Sequence, residues 1–426
     1  MGKYASIWPL PSAMSLSGPP LFISPVFTFK TSSNSGVLKR GITRYLEIIL
    51  RQTNTKDHSE RRANDKALSE LFLSVSTDDE TYTLTISNGQ ASIKAKTPYG
   101  ALYGIETFSQ LIVDGSLVNN TVNINDKPKY NHRGLMLDTG RRFFPLELLY
   151  NIFDGMSYVK LNVFHLHILD WCRFSVESKL YPELQSNTSE FYTQEQIKSL
   201  VSYAADRGIR VIPEVESASH VLGMRSLDNK AKGLRFCNIS GFLQLYNDPE
   251  GVTVATMKNI LKEMMSLFPE QYFHLGLDEV KTSSLCNTEN TKSLEQELME
   301  FLVQNGRIPV AWQEALTSTV NSMGNHFYLT GSLDIGALWT DIASGESSQL
   351  LGGEMAVWTD NYCFVAQCFL YNRAKPIAWW MYGPEQDSQF TESVSGIRMI
   401  QRGVLSCPLG CKCDELTRCG EKYPQP

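Results

Sequence analysis

Two different patterns of apolar and polar residues divide the 426-residue chain. The first part contains three strand-like alternations, LFLSVS, TYTLTIS and ASIKAK, between two helical patterns, GITRYLEIIL and TPYGALYGIETFSQLI. The polar, proline-containing stretch VNINDKPKYNHRG then breaks the periodicity. We therefore predict a small α+β domain over residues 1–128 and a second domain over residues 129–426.

From Arg133 onward, apolar strand candidates alternate with amphipathic helix candidates. The strand candidates are GLMLD, NVFHLHI, RVIPEVE, YFHLGLD, PVAWQE, HFYLTG and EMAVW. Repeated βα units predict a parallel sheet with helical cover, and a TIM-type barrel carries its functional residues at the strand ends. Polar or aromatic side chains occur near these ends at Asp138, His167, Asp170, Glu214, Glu216, Asp278, Glu279, Glu314 and Trp358. The pattern predicts an α/β fold, a TIM-type (β/α)8-like barrel preceded by a small α+β domain.

Composition and charge exclude two classes of partner. Hydrophobic residues make up 42% and charged residues 20%, which is ordinary for a globular protein with a large core. The net charge of −6 and the lack of a Lys/Arg cluster argue against nucleic acid as a partner. We also expect no membrane span, since no stretch approaches the length of apolar sequence that a spanning helix requires.

Cysteines and sequons indicate an oxidising compartment. The chain has nine cysteines, and sequons begin at Asn119, Asn187 and Asn238. The tail CPLGCKCDELTRC lacks the paired arms of a zinc site. We expect at least one disulfide among its four cysteines, Cys407, Cys411, Cys413 and Cys419. A lysosomal or secreted protein fits these features, although the first residues, MGKYASIWPLP, carry no apolar signal-peptide core.

The adjacent acids Asp278 and Glu279, at the end of HLGLDEV, require a chemical explanation. His165 and His167 lie on one face of a strand, and with Asp278 they suggest a metal centre, but the later strand ends hold too few further histidines. We find no G-x-S-x-G elbow, no nucleophilic cysteine motif and no phosphate-binding loop, which argues against nucleophilic catalysis. We expect neither a metal nor a cofactor. Glycoside cleavage uses such a pair of acids, provided that the strand ends before them. A surface acid pair is the other interpretation.

Five ordered motifs carry a resemblance to a known family. They are RGLMLDTGRRFFP, NVFHLHILD, RGIRVIPEVESASH, HLGLDEV and GGEMAVW, and the resemblance extends from about Ile7 to about Cys407. Together they resemble the β-N-acetylhexosaminidases, family 20 of the glycoside hydrolases. The resemblance implies exo-acting hydrolysis of terminal N-acetylglucosamine or N-acetylgalactosamine from glycans by a substrate-assisted, retaining mechanism. A homodimer is compatible with the sequence but is not indicated by it.

The resemblance also implies roles for individual residues. Glu279 matches the general acid/base, and Asp278 matches the acid that orients the substrate's own 2-acetamido group. Asp170 and His220 match a relay behind Glu279. The substrate-binding positions that match are Arg141, Trp312, Trp339, Trp358, Asp334 and Asp360. A disulfide between Cys237 and Cys286, which flank the strand that carries the acids, is also implied.

Several positions depart from the family pattern. Leu277 replaces a glycine and is expected to crowd the pocket, Glu216 replaces an aspartate, and Ser332 replaces a tyrosine that hydrogen-bonds the oxazoline. The interval between Trp312 and Glu354 is too short for a full complement of βα units, so we expect the barrel to lack one unit. The alternative function is therefore a catalytically weak or inactive homologue that binds N-acetylhexosamine glycans.

Overall fold

The computed structural model describes residues 7–53, 67–76, 79–186, 189–228, 233–312, 315, 326–330 and 350–358. The first part of the chain forms one eight-stranded sheet in the order β1-β8-β4-β5-β3-β2-β7-β6. Its strands are Ala13–Ser17 (β1), Leu21–Thr31 (β2), Leu68–Val75 (β3), Tyr82–Ser87 (β4), Gln90–Ala95 (β5), Ile112–Val113 (β6), Ser116–Leu117 (β7) and Thr121–Asp126 (β8). Two helices, Gly36–Thr53 (α1) and Pro98–Gln110 (α2), pack on it.

Local sequence explains these elements. In β4 the residues Tyr82, Leu84 and Ile86 are buried and alternate with more exposed residues, which is the period of a strand with one face on the core. Helix α2 begins at Thr97, whose side chain accepts a hydrogen bond from the backbone of Gly100, with a proline at the first helical position. The strands TYTLTIS and ASIKAK and both helices were predicted, whereas β1, β2 and β8 were not.

The second part of the chain is a curled parallel sheet with helices on its outside. Its strands and an accompanying hairpin are His132–Asp138 (β9), Val163–His167 (β10), Arg210–Glu214 (β11), Phe236–Ile239 (β12), Phe242–Leu245 (β13), Tyr272–His274 (β14), Ile308–Val310 (β15), His326–Thr330 (β16) and Leu350–Val357 (β17). The helices are Leu146–Tyr158 (α3), Gln194–Ala205 (α4), Val252–Met265 (α5) and Thr288–Gln304 (α6), with 3-10 turns at Pro182–Gln185 and Leu222–Leu227.

The strand order in this sheet is β15-β14-β11-β10-β9-β17-β16, and all neighbours are parallel. This confirms the predicted TIM-type α/β fold. Within the described residues, β15 and β16 form the two edges and do not pair with each other. The predicted loss of one βα unit falls between Trp312 and Glu354, mostly outside the described residues, and stays a prediction. The hairpin of β12 and β13 and helix α6 were not predicted. None of the described helices is both long and apolar enough to cross a membrane.

Helix packing fixes the positions of the strand ends. Helix α3 buries Leu149, Ile152, Phe153 and Met156, a spacing that places one stripe of side chains on the sheet. Helix α4 begins with a capping box at Thr193, which satisfies backbone donors that would otherwise be unpaired. The strands, held by this apolar layer, present their carboxyl ends on one face.

Candidate active site

One layer of the barrel interior is built from the last residues of four neighbouring strands. Asp138, His167, Glu214 and His274 are Cα partners in register across β9, β10, β11 and β14. Because parallel strands in register point matching side chains to the same side, acids and imidazoles converge. His167 Nδ1 lies 2.5 Å from one oxygen of Glu214, and His274 Nδ1 lies 3.0 Å from the other.

A second layer of side chains lies below the first and includes His165, two residues before His167 on β10. His165 contacts Glu354 Oε1 through Nδ1 at 2.6 Å and Glu214 through Nε2 at 3.0 Å. The second oxygen of Glu354 lies 3.0 Å from His132 Nε2. Imidazoles and carboxylates therefore alternate in the order His132, Glu354, His165, Glu214 and His167. Each of these side chains is at most 3% exposed, so they form a buried ionic network.

The opposite charges in this network stabilise one another. Burial lowers the pKa of His165, but the carboxylates of Glu354 and Glu214 outweigh it and raise that pKa to about 9. The same balance raises the pKa of His167 well above its usual value. Burial raises the pKa values of Glu214 and Glu354, but the neighbouring imidazoles outweigh it and hold both below their usual range. At neutral pH the network therefore contains protonated His165 and His167 beside ionised Glu214 and Glu354.

The raised pKa of His165 predicts how the stability of the folded protein depends on pH. His165 has a pKa of about 9 in the folded protein against an ordinary value of 6.5. Its contribution is therefore complete below pH 6.5 and is lost as the pH rises through 9. We expect His165 to account for a loss of about 3 kcal/mol in the free energy of unfolding in urea between pH 6 and pH 9. His165→Gln should flatten this dependence, and a wild type that is equally stable at both pH values would contradict the charged network.

Asp170 connects the buried network to the open end of the barrel. Its Oδ2 lies 2.9 Å from His167 Nε2 and 2.9 Å from Arg141 Nη2. Its Oδ1 lies 3.5 Å from Nδ1 of His220. Arg141 also contacts Asp138 Oδ2 through Nη1 at 3.0 Å, and its side chain stays 14% exposed. Burial lowers the pKa of His220, but hydrogen bonding and charge from Asp170 outweigh it and raise that pKa.

The adjacent acids stand on an irregular segment after β14. The strand ends at His274, and Leu277 and Glu279 have positive φ values of 75° and 49°. This departure from strand alternation brings both acids to one imidazole. His220 Nε2 lies 3.8 Å from Asp278 Oδ2 and 3.3 Å from Glu279 Oε2. The condition set by the sequence, that the strand must end before the acids, is met.

The segment ESASH holds the acid segment in place. Ser219 Oγ donates a hydrogen bond to the backbone carbonyl of Asp278. The backbone N–H of Leu277 donates to Glu216 Oε2 at 3.4 Å. A Cβ on Gly276 would lie 1.8 Å from that same oxygen of Glu216, so only glycine fits there. Glu216, which replaces the family's aspartate, and Ser219 therefore both contact the backbone of the segment that carries the acids.

The two acids differ in their surroundings. Asp278 is 17% exposed, and its Oδ1 is buried without a hydrogen-bond partner among the described residues. Burial and the charge of Glu214 raise the pKa of Asp278, against the opposing effect of His220. Glu279, by contrast, is 65% exposed and faces the open end of the barrel. One acid is a desolvated hydrogen-bond acceptor, and the other is accessible to a ligand.

Leu277 does not occupy the space that the sequence suggested. Its side chain is fully buried and belongs to the apolar cluster of the barrel, so the expectation that it crowds the pocket is not supported. Its backbone, at φ 75°, lies in the left-handed region, which costs a non-glycine residue about 1–2 kcal/mol.

Substitutions at Leu277 should reveal this strain. Leu277→Ala removes buried apolar surface, which typically costs about 2–5 kcal/mol. Leu277→Gly removes the same surface but relieves the left-handed backbone, so we expect it to be about 1 kcal/mol more stable than Leu277→Ala. Leu275 is equally buried and lacks a positive φ, so Ala should be the better replacement there. The free energy of unfolding in urea should be measured for the Ala and Gly variants at both positions. The same order of stability at Leu277 and Leu275 would exclude backbone strain at Leu277.

Two of the predicted tryptophans lie next to each other beside the histidines of the barrel interior. The rings of Trp312 and Trp358 are 5.3 Å apart, and the guanidinium of Arg141 lies 5.1 Å from the ring centroid of Trp358. Trp312 is 7% exposed, and its indole N–H donates to Glu214 at 2.7 Å. Its backbone N–H also donates to the carbonyl of Gly276. Trp312 therefore anchors the buried network as well as flanking the site.

Other predicted residues lie outside the described part of the chain. They are Trp339, Asp334, Asp360, Glu314, Ser332, Asn187 and the tail cysteines Cys407, Cys411, Cys413 and Cys419. The disulfide between Cys237 and Cys286 is present, with the two Cα atoms 6.1 Å apart, which confirms that pairing. It ties β12 to the segment that follows the acids.

The metal hypothesis meets a geometric objection. Donor atoms of three buried groups lie close enough to hold an ion: His165–Glu214–His274, Asp138–His167–Asp170 and His167–Glu214–Glu216. The third contains the 2.5 Å contact between His167 and Glu214, which is hydrogen-bond distance and leaves no space for an ion between them. Asp278, which the metal hypothesis requires, belongs to none of the three. Hydrogen bonding within the network accounts for these clusters.

A parallel barrel that presents two neighbouring acids at its open end is compatible with glycoside hydrolysis, which uses paired carboxyl groups. Residues 130–367, more than half of the chain, match the catalytic domain of glycosyl hydrolase family 20, and residues 7–111 match a β-acetyl hexosaminidase-like domain. The chain therefore belongs to glycosyl hydrolase family 20, as its motifs predicted.

Relatives and solved structures agree with this assignment. Beta-hexosaminidase 1 of Arabidopsis thaliana is 30% identical over 363 residues, which cover 73% of this chain and 65% of the relative. Beta-hexosaminidase subunit beta of Sus scrofa is 29% identical over 83% of this chain and 69% of its own. The chain thus spans about two thirds of the length of these relatives. The chitobiase of Flavobacterium johnsoniae has the same fold, with a TM-score of 0.71 at 22% identity over 95% of this chain and 72% of its own.

Proposed function

We propose that the protein removes terminal N-acetylglucosamine or N-acetylgalactosamine from glycans by substrate-assisted, retaining hydrolysis. The observation that carries the proposal is the buried Oδ1 of Asp278, which has no hydrogen-bond partner among the described residues, beside the exposed carboxyl of Glu279. A buried carboxylate oxygen without a donor is unfavourable, and the N–H of a substrate's 2-acetamido group would supply that donor. The proposal is supported by the similarity to two beta-hexosaminidases, from Arabidopsis thaliana and Sus scrofa.

The first step in this proposal forms a ring within the substrate. Its raised pKa makes Asp278 a strong acceptor for the acetamido N–H, which increases the electron density on the amide oxygen. That oxygen attacks the anomeric carbon as the glycosidic bond breaks. The bond's electron pair stays on the leaving oxygen, which takes the proton of Glu279. The substrate's own amide thus replaces a protein nucleophile.

The second step reverses the roles. Glu279, now a carboxylate, accepts a proton from a water molecule whose oxygen attacks the anomeric carbon. The bond to the amide oxygen breaks and its electron pair restores the amide. Two inversions at the anomeric carbon retain its configuration. His220 and Asp170 act as positioning residues. Asp170 orients the imidazole of His220 and raises its pKa, and Nε2 of that imidazole lies 3.3 Å from Glu279 Oε2.

Substrate binding in this proposal uses the groups around Arg141. Its guanidinium is held in place by Asp138 and Asp170 and is 14% exposed at the open end of the barrel, a position suited to contact with sugar hydroxyls. Trp358 lies beneath it and offers an aromatic wall. Trp312, Trp339, Asp334 and Asp360 complete the proposed set of binding residues.

Binding without turnover is the second candidate function. One structural observation favours it: β15 and β16 are unpaired edges of the sheet within the described residues. Purified protein assayed on chromogenic N-acetylglucosaminide and glucoside substrates tests both candidates. We expect hydrolysis of the first substrate only. Binding of N-acetylglucosamine without hydrolysis would support the second candidate, and cleavage of both substrates would contradict the substrate-assisted mechanism.

We also propose that residues 1–128 and 129–426 are separate domains. The proposal is supported by two distinct apolar clusters, one in each part of the chain. Polar contacts join them, including Lys160 Nζ to Asp126 at 3.1 Å and Arg133 to Glu80 at 3.0 Å. Trp8 crosses from the first part into the cluster of the barrel and is held through its backbone by Gln110.

A lysosomal or secreted location is the compartment that we propose. The proposal is supported by the disulfide between Cys237 and Cys286, since stable disulfides are rare in reducing compartments. Peptide mass mapping of protein from a secretory host should find this pair oxidised, together with at least one disulfide in the cysteine-rich tail. Free thiols at all of these positions would argue against secretion.

A further inference from the structure

Glu216 is a fully buried acid that the proposed mechanism does not use. It lies two residues after β11, and its side chain is 0% exposed. Within the described residues its Oε1 has no hydrogen-bond partner, and its Oε2 accepts one hydrogen bond, from the backbone N–H of Leu277 at 3.4 Å. The same part of the chain offers this carboxyl no ion pair. A carboxylate here would therefore lack the donors that a buried charge requires.

The neighbouring acid Glu214 shows how this barrel stabilises a buried carboxylate. One oxygen of Glu214 contacts His167 Nδ1 at 2.5 Å, and the other contacts His274 Nδ1 at 3.0 Å. One oxygen each of Glu214 and Glu216 and one nitrogen of His167 lie within 4.8 Å of one another. However, both nitrogens of His167 already contact acids, Nδ1 that of Glu214 and Nε2 that of Asp170. Among the described residues, Glu214 therefore has imidazole partners and Glu216 has none.

The charges around Glu216 also oppose its ionisation. Burial raises the pKa of Glu216 well above its ordinary value, and the charges of three acids, Asp278, Glu214 and Asp170, raise it further. The hydrogen bond from Leu277 has the smaller, opposite effect. Desolvation and repulsion both disfavour the carboxylate, so Glu216 is a neutral carboxylic acid at neutral pH. A carboxyl group kept neutral in this way has an O–H that a carboxylate lacks.

The carboxyl of Glu216 packs on the backbone that leads to the acids. A Cβ on Gly276 would lie 1.8 Å from Oε2 of Glu216 and 2.7 Å from its Oε1, so the whole carboxyl lies against this glycine. The carbonyl of Gly276 accepts a hydrogen bond from the backbone N–H of Trp312 at 3.0 Å. The segment before Asp278 is therefore held between Glu216 and Trp312. An aspartate in place of Glu216 is one methylene shorter and would leave a gap at this contact.

We propose that Glu216 is a positioning residue that acts as a neutral carboxylic acid, and that it holds the Asp278 segment in place without adding charge beside Asp278. The inference rests on the proposed function, in which ionised Asp278 accepts the acetamido N–H. Burial and the charge of Glu214 already raise the pKa of Asp278. A second carboxylate at Glu216 would favour protonation of Asp278 and so remove the acceptor. Neutrality of Glu216 keeps Asp278 ionised.

Two substitutions distinguish a neutral acid from a charged one. Glu216→Gln keeps the length and the neutrality of the side chain, whereas Glu216→Asp keeps an acid but shortens it. We expect kcat on an N-acetylglucosaminide to be at least about tenfold higher for Glu216→Gln than for Glu216→Asp, with similar KM, since misplacing a catalytic group by 1 Å costs about 100-fold. The reverse order would overturn the proposal, because aspartate retains a charge that glutamine lacks. If the wild type does not turn over, affinity for N-acetylglucosamine-thiazoline should give the same order.

Infrared difference spectra measure the protonation of Glu216 without requiring turnover, so they separate this inference from the proposed function. The wild type at neutral pH should show the carbonyl band of a protonated carboxylic acid, which shifts in D2O and is absent from Glu216→Gln. Glu289→Gln, at an exposed acid of α6, is the matched control and should keep that band. A Glu216→Gln protein that loses only carboxylate bands would overturn the proposal.

Discussion

Replacing Glu279 by glutamine is expected to lower kcat/KM for an alkyl N-acetylglucosaminide about 100- to 10,000-fold, the usual contribution of general acid catalysis. Glutamine keeps the size and hydrogen bonding of the side chain but has no proton to give the leaving oxygen. A substrate with an acidic phenol should lose much less, because its leaving group departs without protonation. The specificity constant is the proper measure, since it reports the step that breaks the glycosidic bond.

A control variant distinguishes this effect from a general loss of charge. Glu289→Gln changes an exposed acid in the first turn of α6 and should leave both substrates unaffected. Equal losses on the alkyl and phenolic substrates in Glu279→Gln would remove Glu279 from the acid role.

Asp278→Asn should have the second largest effect, a loss of about 100- to 1,000-fold in turnover on 2-acetamido substrates. The carboxylate stabilises charge that develops on the acetamido group in the transition state, and a neutral amide cannot replace it. The loss should therefore exceed any change in KM. An N-acetylglucosamine-thiazoline, which mimics the cyclic intermediate, should inhibit the wild type and bind the variant more weakly. Unchanged inhibition in the variant would contradict the proposed contact.

The fold was predictable because its signals are local. Alternating strands and periodic helices in the second part of the chain predicted the TIM-type barrel. The predicted loss of one βα unit between Trp312 and Glu354 stays a prediction, because most of that interval lies outside the described residues. The hairpin of β12 and β13 was missed because its strands are four residues each and depend on a turn at Ser240 and Gly241. Helix α6 was missed although Asn287 caps its first turn.

The candidate site was predictable in part. The acids, Asp170 and His220 were found from motifs, and the structure brings them together. The buried network of His132, Glu354, His165, Glu214 and His167 was not foreseen. The sequence suggested His165 and His167 as metal ligands and placed His167 and Glu214 at strand ends, without pairing the histidines with acids. A signal was present, since the acids of RVIPEVE and GGEMAVW occur in otherwise apolar strands, and a buried acid requires a partner. Strand order, which determines those partners, is not a local property of the sequence.

Participation of the substrate's amide is the central claim, and one series of substrates tests it most directly. The series consists of aryl glucosaminides whose N-acetyl group carries zero, one, two or three fluorine atoms. Fluorine withdraws electrons from the amide oxygen without changing the leaving group. If that oxygen attacks the anomeric carbon, kcat/KM of the wild type should fall steeply with each fluorine. A specificity constant that is independent of fluorination would contradict the claim and would require a different nucleophile, either a water molecule or a side chain of the protein.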